Sequence, residues 1–289
     1  MILSFDIGGS RIKAAMSQDG VLTMLREVAT PTTDFAAFTA ALAGFLGGGE
    51  AGIAISIPGV VDPATGRINI ANIPCLNGRD LRADLSGTIG LPVMVLNDAD
   101  AFAMAEARFG AGRGHVCVFG IILGTGVGGG LVRDGRLVTG AGGYAGEWGH
   151  GPVIRDPAFV CGCGQTGCVD TVGGARGLER LHHHLTGDAR SSIDVLRGWH
   201  GGAAAAVDLW LDLVSGPLAM VVNVIGADIV PVGGGLANDE GLIAALDTAV
   251  RARILRKMDR PLVVPAGVST DAGLVGAAAA GEAAFGHSA

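Results

Sequence analysis

The sequence predicts an α/β protein built of two related halves, and three observations point there. A pattern of strand, glycine turn, strand, Asp-Gly turn and strand occurs twice, helix and strand segments alternate after each copy, and 50 of the 289 residues are glycine while aromatics make up only 4%. Alternation asks for helices layered on sheets, and the composition asks for an aliphatic core with tight turns. The length accommodates two domains of ordinary size, each with its own core.

The first copy opens on the apolar run Ile2 to Ile7, read as a buried strand that ends in Gly8, Gly9 and Ser10. A second strand follows from Ile12 to Met16, Asp19-Gly20 turns the chain, and a third strand starts at Val21. Asp-Gly between apolar runs signals a hairpin because both central residues of the turn take positive φ. The second copy reads the same way: a strand from Val116 to Leu123, the turn Gly124-Thr125-Gly126, a strand from Val127 to Arg133, and Asp134-Gly135 before Leu137. Two copies in near-equal spacing imply an internal duplication.

After the first copy, residues 35–46 read as an amphipathic helix, 52–57 and 93–96 as strands, and 99–108 as a helix. After the second, 203–225 read as a helix, 229–232 as a strand running into Gly233-Gly234-Gly235, and 242–254 as a helix. An Ala-rich helix over 273–284 is expected to pack back on the first domain. The boundaries follow: a first α/β domain over 1–110 completed by the C-terminal helix segment 273–289, a second over 111–272 carrying the loop 147–170, and a cleft between the two.

The formal charge is −7 with Lys and Arg dispersed, so no basic stripe tracks a phosphate backbone and nucleic acid is not an expected partner. A membrane span needs about 18 uninterrupted apolar residues. The longest candidate, 213–236, is broken by Ser215, Pro217, Asn223 and Asp228. Met1 stands directly before a strand, without the charged and apolar regions of a signal peptide. A soluble, cytoplasmic protein without a membrane partner is expected. Three of the five cysteines are clustered and two, Cys75 and Cys117, are isolated, which is not a disulfide framework and suits a reducing compartment.

The clustered cysteines carry the strongest chemical signal. Glu147-Trp148-Gly149-His150 is followed by Cys161, Cys163 and Cys168, then Asp170. One imidazole and three thiolates make a closed tetrahedral set for zinc with no position left for water, so the metal is structural. The alternative, four buried side chains without metal, needs apolar sequence that this Gly-rich loop does not supply.

Three glycine turns directly follow apolar strands, where backbone N–H groups can approach the oxygens of a nucleoside triphosphate. Asp6, Gly8, Gly9, Ser10 and Lys13 add a carboxylate for a water-bridged magnesium ion, a hydroxyl and a cation. Gly124, Thr125 and Gly126 form a second such loop, and Gly233, Gly234 and Gly235 offer bare backbone for adenine or ribose. Each alone is weak evidence, because glycine after a strand is usually only a tight turn, and the three together with the duplication carry the reading. No P-loop pattern occurs, and the first glycine turn leads into a strand, against a dinucleotide fingerprint.

The strand ending at Leu96 runs into Asn97-Asp98 and then a helix, placing a carboxylate at a sheet's carboxyl edge. Asp98 is read as the general base for phosphoryl transfer to an alcohol, with helix N-capping as the alternative role. Glu147, His150 and Asp170 are then available to recognise a neutral polyol, because an unmatched hydroxyl leaves a buried polar group unpaired. The run His182-His183-His184 and the charged stretch 251–260 read as solvated helix surface.

Residues 6–13, 97–99, 123–130, 147–150, 161–168 and 233–235, in that order and across essentially the whole chain, resemble the ROK family of repressors, open reading frames and sugar kinases. The resemblance implies the duplicated actin/hexokinase-type (ribonuclease H-like) ATPase fold, ATP with Mg2+, structural Zn2+ on His150, Cys161, Cys163 and Cys168, and a homodimer. It also implies that Asp98 is the base for a sugar hydroxyl and that Gly59, Asn72, Asn97, Glu147, His150 and Asp170 contact the sugar. Two positions depart from the family pattern: Ser10 stands where Thr is usual, keeping the hydroxyl, and Asp170 stands where Glu is usual, one methylene shorter.

Within the family, residues 81–86, 122–131 and 161–165 are similar to bacterial N-acetyl-D-glucosamine kinases, whereas 76–78 and 145–150 look more like the fructokinase or mannokinase branch. The implied activity is ATP-dependent phosphorylation of the 6-hydroxyl of a hexose or N-acetylhexosamine, N-acetyl-D-glucosamine first, with glucose, fructose, mannose and N-acetylmannosamine as alternatives. Family repressors carry a DNA-binding segment ahead of the first strand, which begins here at residue 2. A non-catalytic sugar sensor would not need Asp98 together with complete phosphate loops.

Overall fold

The computed structural model describes residues 1–268 and 270–286; the expected helix end at 287–289 lies outside the described residues. In chain order the elements are β1 (Ile2–Ile7), β2 (Arg11–Gln18), β3 (Val21–Ala29), α1 (Phe35–Ala43), β4 (Gly52–Ile57), β5 (Val60–Val61), β6 (Ile68–Asn69), α2 (Leu81–Ile89), β7 (Val93–Asn97) and α3 (Asp98–Phe109). There follow β8 (Cys117–Leu123), β9 (Val127–Arg133), β10 (Arg136–Val138), α4 (Asp170–Gly173), α5 (Ala175–Thr186), α6 (Ser192–His200), α7 (Ala205–Ile225), β11 (Val230–Gly233), α8 (Glu240–Arg251), β12 (Val263–Pro265) and α9 (Ala272–Phe285).

Two five-stranded sheets repeat one topology. Their orders are β3-β2-β1-β4-β7 and β10-β9-β8-β11-β12. In the first, β1 pairs antiparallel with β2 and parallel with β4, which pairs parallel with β7; in the second, β8 pairs antiparallel with β9 and parallel with β11, which pairs parallel with β12. The two Asp-Gly turns take matching conformations, with φ of 53° and 79° at Asp19-Gly20 and 51° and 72° at Asp134-Gly135. Positive φ at both central residues matches the twist of the flanking strands.

The chain divides into two compact units. The first comprises Met1–Phe109, Gly135–Ala145 and the C-terminal segment from Val268; the second comprises Gly110–Asp134 and Gly146–Gly267. In the first unit, β4 is buried at all six positions, as a central parallel strand covered on both faces must be. One face of that sheet packs Phe5, Ile7, Ile55 and Ile57 with Phe38 and Leu42 of α1 and Leu81 and Leu85 of α2. On α9, Ala277 packs with Ile2 and Ala54. Helix α9 also lies against α3 so closely that a Cβ on Gly276 would run into the carbonyl of Ala101. Leu274 of α9 is fully buried, a contribution of roughly 2 kcal/mol.

The second unit packs Phe119, Ile121 and Leu123 with Trp148, Leu178, Trp210, Val214, Leu218 and Val250. Helix α7 is long and apolar enough to span a membrane by length and composition alone, yet Trp210, Val214 and Leu218 are fully buried in this core. The expected helix over 242–254 runs from Glu240 to Arg251, and Asp247 on it accepts the N–H groups of Leu262 and Val263 through Oδ1, which holds the start of β12 against the helix. The sequence reading omitted α2, which Asp80 caps through the Ala83 N–H at 3.0 Å.

Candidate functional site

In the first unit, β1, β4 and β7 run parallel, so their carboxyl ends share one sheet edge. That edge holds Asp6 at the end of β1, Gly59 just beyond β4, and Asn97 and Asp98 at the end of β7. Ligands of open α/β sheets bind at such edges. Asn97 donates its side-chain amide to the Gly59 carbonyl at 3.1 Å, and its oxygen accepts the Ala99 N–H at 2.8 Å. The Asp98 carboxylate also accepts from Ala99 N–H, at 2.9 Å. Asp98 thus begins α3 while Asn97 supplies cap-like contacts. Burial pushes Asp98 above the ordinary carboxylate range, and the nearby negative charge of Asp6 adds to the rise.

Gly59 is sterically required, since a Cβ there would lie 2.9 Å from the Asn69 carbonyl. Asn72 approaches the glycine turn after β1: a Cβ on Gly9 would meet its Nδ2 at 3.5 Å. Thr30, which sequence reasoning missed, holds that turn through its Oγ1, which donates to the Gly8 carbonyl at 2.7 Å, and its N–H, which donates to the Ser10 carbonyl at 3.1 Å. Burial raises the Asp6 pKa, while Ser56 and Lys13 pull it down and Asp271 pushes it up. Lys13 pairs with Asp271 at 2.6 Å. Asp271 was also missed, although an acid directly before an Ala-rich helix is a recognisable helix-start signal.

In the second unit, β8, β11 and β12 run parallel and carry glycine turns after β8 and β11. The turns touch: a Cβ on Gly234, whose φ is 89°, would strike the backbone of Leu123 and Gly124. Gly124, Thr125 and Gly126 join β8 to β9, closed by a Gly124 N–H to Gly126 carbonyl bond of 3.0 Å. Gly233, Gly234 and Gly235 are thereby brought beside this turn.

The same unit gathers the cysteine–histidine cluster. The ligand atoms of His150, Cys161, Cys163 and Cys168 all lie within 4.8 Å of one another. His150 Nδ1 is 3.7 Å from Cys161 Sγ, and Cys163 Sγ is 3.6 Å from Cys168 Sγ. Zn–S bonds of about 2.3 Å at tetrahedral angles set sulfur atoms roughly 3.8 Å apart, so the donor set fits zinc. Burial pushes the Cys161 thiol up to about 12, whereas the Gln165 N–H brings exposed Cys163 down to about 7.

With Nδ1 turned to the cysteines, His150 Nε2 faces Glu147 Oε2 at 3.7 Å, beyond direct hydrogen-bond range. The loop bearing both residues is anchored by Trp148, whose Nε1 donates to the Gly128 carbonyl at 3.0 Å and whose ring meets Phe119 edge-on. The sequence reading did not use Trp148 as an anchor. Asp170 turns one carboxylate oxygen to the Val127 N–H at 2.8 Å and lies with the other 3.7 Å from Cys161 Sγ.

A family model described as the ROK family matches residues 2–283. The chain belongs to the ROK family. This ROK chain is 36% identical over 298 residues to a Shewanella sp. (strain ANA-3) protein named N-acetylgalactosamine kinase AgaK, covering 97% of this chain and 96% of the relative. It is 33% identical over 297 residues to an N-acetyl-D-glucosamine kinase of Photobacterium profundum, covering 96% and 98%. Among solved structures, a ROK family glucokinase from Streptomyces griseus in complex with glucose and AMPPNP is similar with a TM-score of 0.73 at 29% identity, over 96% of this chain and 97% of that one. The fold is the duplicated actin/hexokinase type of these ROK kinase structures, with one strand order repeated in both sheets.

Proposed function

We propose that this ROK protein is an ATP-dependent kinase acting on the 6-hydroxyl of a hexose or N-acetylhexosamine, with N-acetyl-D-glucosamine as the preferred acceptor. The single observation that carries the reading is Asp98, a carboxylate of raised pKa fixed at the carboxyl edge of three parallel strands beside Asn97 and Asp6. Kinase names on relatives covered almost end to end support the activity, and their N-acetylhexosamine substrates support the acceptor class.

In this reading Asp98 accepts the proton of the attacking hydroxyl, and Gly59, Asn72, Asn97, Glu147 and His150 fix the sugar's hydroxyl pattern. The backbone of Gly8, Gly9, Gly124, Gly126, Gly233, Gly234 and Gly235, with Ser10 and Thr125, holds ATP. Lys13 pairs with Asp271 and steadies Asp6, the carboxylate that would hold Mg2+. Bound Mg2+ supplies charge neutralisation on the phosphates. His150, Cys161, Cys163 and Cys168 hold Zn2+ as a structural metal. The protein works in the cytoplasm as a homodimer.

The test is a panel of N-acetylglucosamine, N-acetylgalactosamine, N-acetylmannosamine, glucose, mannose and fructose with ATP, read as ADP release and product position by NMR. Highest kcat/KM for N-acetylglucosamine with phosphate on its 6-oxygen supports the proposal. Preference for glucose or fructose overturns the acceptor, and no turnover on any sugar overturns the activity.

A further inference from the structure

The glycine turn after β1 and the loop carrying Asn72 lie against each other: a Cβ on Gly9 would come 3.5 Å from Asn72 Nδ2 and 3.6 Å from the Asn72 carbonyl oxygen. One short segment, Thr30-Pro31-Thr32, directly after β3, is bonded to both. At its first residue it grips the turn. Thr30 Oγ1 donates to the Gly8 carbonyl at 2.7 Å, and the Thr30 N–H donates to the Ser10 carbonyl at 3.1 Å. Its other two residues grip the loop. The Thr32 carbonyl accepts the Cys75 N–H at 3.0 Å, and the Pro31 carbonyl accepts from the Cys75 thiol at 3.6 Å. Cys75 is the middle residue of a short helical turn, Pro74–Leu76, and both Ile73 and Leu76 are fully buried, so the loop is anchored in the core beside the segment that holds it.

Gly8 and Gly9 leave the turn wide backbone freedom, so contacts from outside decide where its amides point. Pro31 fixes its own φ and narrows the choices of Thr30 before it, which makes the segment stiff. A displacement at one end is therefore passed to the other rather than absorbed between them.

We infer that Thr30 is a positioning residue, and that Thr30-Pro31-Thr32 is a strut through which the Gly8-Gly9-Ser10 turn and the Asn72 loop bind their ligands cooperatively. This rests on the kinase reading, in which the turn holds ATP and Asn72 contacts the sugar. By linkage, the factor by which sugar tightens the nucleotide equals the factor by which nucleotide tightens the sugar.

The experiment compares Thr30→Val, which keeps the shape and removes the hydroxyl donor, with Thr30→Ser, which keeps the donor, in the full-length, zinc-loaded protein. The readouts are calorimetric affinities for a non-hydrolysable ATP analogue and for N-acetylglucosamine, each alone and with the other at saturation. Hydrogen exchange of the Gly8 amide, bonded to the Arg11 carbonyl at 2.9 Å, and of the Cys75 amide is read without ligand. In the parent we expect each ligand to tighten the other by one shared factor. In the Val variant, nucleotide affinity falls roughly three- to tenfold, the coupling factor drops towards one, and both amides exchange faster. Ser restores all three. Independent binding in the parent, parent-like coupling in the Val variant, or a Ser variant that behaves like Val overturns the inference. Faster exchange at both amides in a protein that binds neither the nucleotide nor any sugar supports the strut and overturns the kinase reading instead. If the Val variant fails to fold, Cys75→Ala removes the thiol contact to Pro31 and tests the link from its other end: a reduced coupling factor supports the inference, and a parent-like one overturns it.

Discussion

Asn97 holds the carbonyl of Gly59 at 3.1 Å with its side-chain amide while its oxygen takes the N–H of Ala99. One side chain thereby ties the end of β7 to the segment after β4 and to the first turn of α3. Asp98 sits between these ties, so its carboxylate is oriented by neighbours that do not themselves ionise. This is the arrangement a general base needs: a fixed direction and a buried setting.

Replacing Asp98 by Asn keeps the shape and removes the proton acceptor. We expect kcat to fall by ~10²–10⁴-fold while sugar affinity stays within about threefold. Steady-state kinetics with calorimetry on the same variant make the comparison. Turnover at the wild-type level would take Asp98 out of the role.

The raised pKa of Asp98 gives a pH signature whose sign is fixed. A base acts ionised, so kcat/KM falls as pH drops through its pKa, and burial moves that acid limb above the position of an ordinary aspartate. Asp6 pushes in the same direction, so Asp6→Asn shifts the limb to lower pH even as it lowers the overall rate. A limb that stays in place in that variant would show that the two carboxylates are not coupled.

The cysteine–histidine cluster predicts one zinc per chain by elemental analysis. Cys161→Ala and Cys163→Ala should each lose that zinc and lower the melting temperature, since structural sites bind with ~10–16 kcal/mol of apparent free energy that is available to folding. A metal-free variant with unchanged melting temperature and full activity would count against a structural metal.

Helix α9 tests the packing account away from any chemistry. Gly276→Ala drives a methyl group into the Ala101 carbonyl on α3, and we expect a loss of about 3 kcal/mol in chemical denaturation. Stability equal to the parent would mean that the two helices part at no cost.

Much of this was legible in the sequence because local chemistry carried it. Asp19-Gly20 and Asp134-Gly135 announce their hairpins, glycine runs mark the strand ends, and His150 with Cys161, Cys163 and Cys168 declares a ligand set by spacing alone. Helix α2 was missed because Ser86 and Gly87 interrupt its apolar pattern, and β12 because three residues are too few for a period. Thr30, Asp271 and Trp148 act through partners distant in sequence, Gly8, Lys13 and Gly128, which only the folded chain brings near. The second orientation of Asp170, towards Val127, is of the same kind: the residue type suggested recognition, and the register of α4 against the β8–β9 turn determines what it touches.

The most direct measurement of the central claim is the mass of N-acetylglucosamine after incubation with the protein, ATP and Mg2+, with the Asp98→Asn variant in parallel. The account predicts a sugar product heavier by one phosphoryl group, formed with matching ADP by the parent and nearly absent with the variant. An unchanged sugar mass across the whole acceptor panel, or equal product from both proteins, would contradict it.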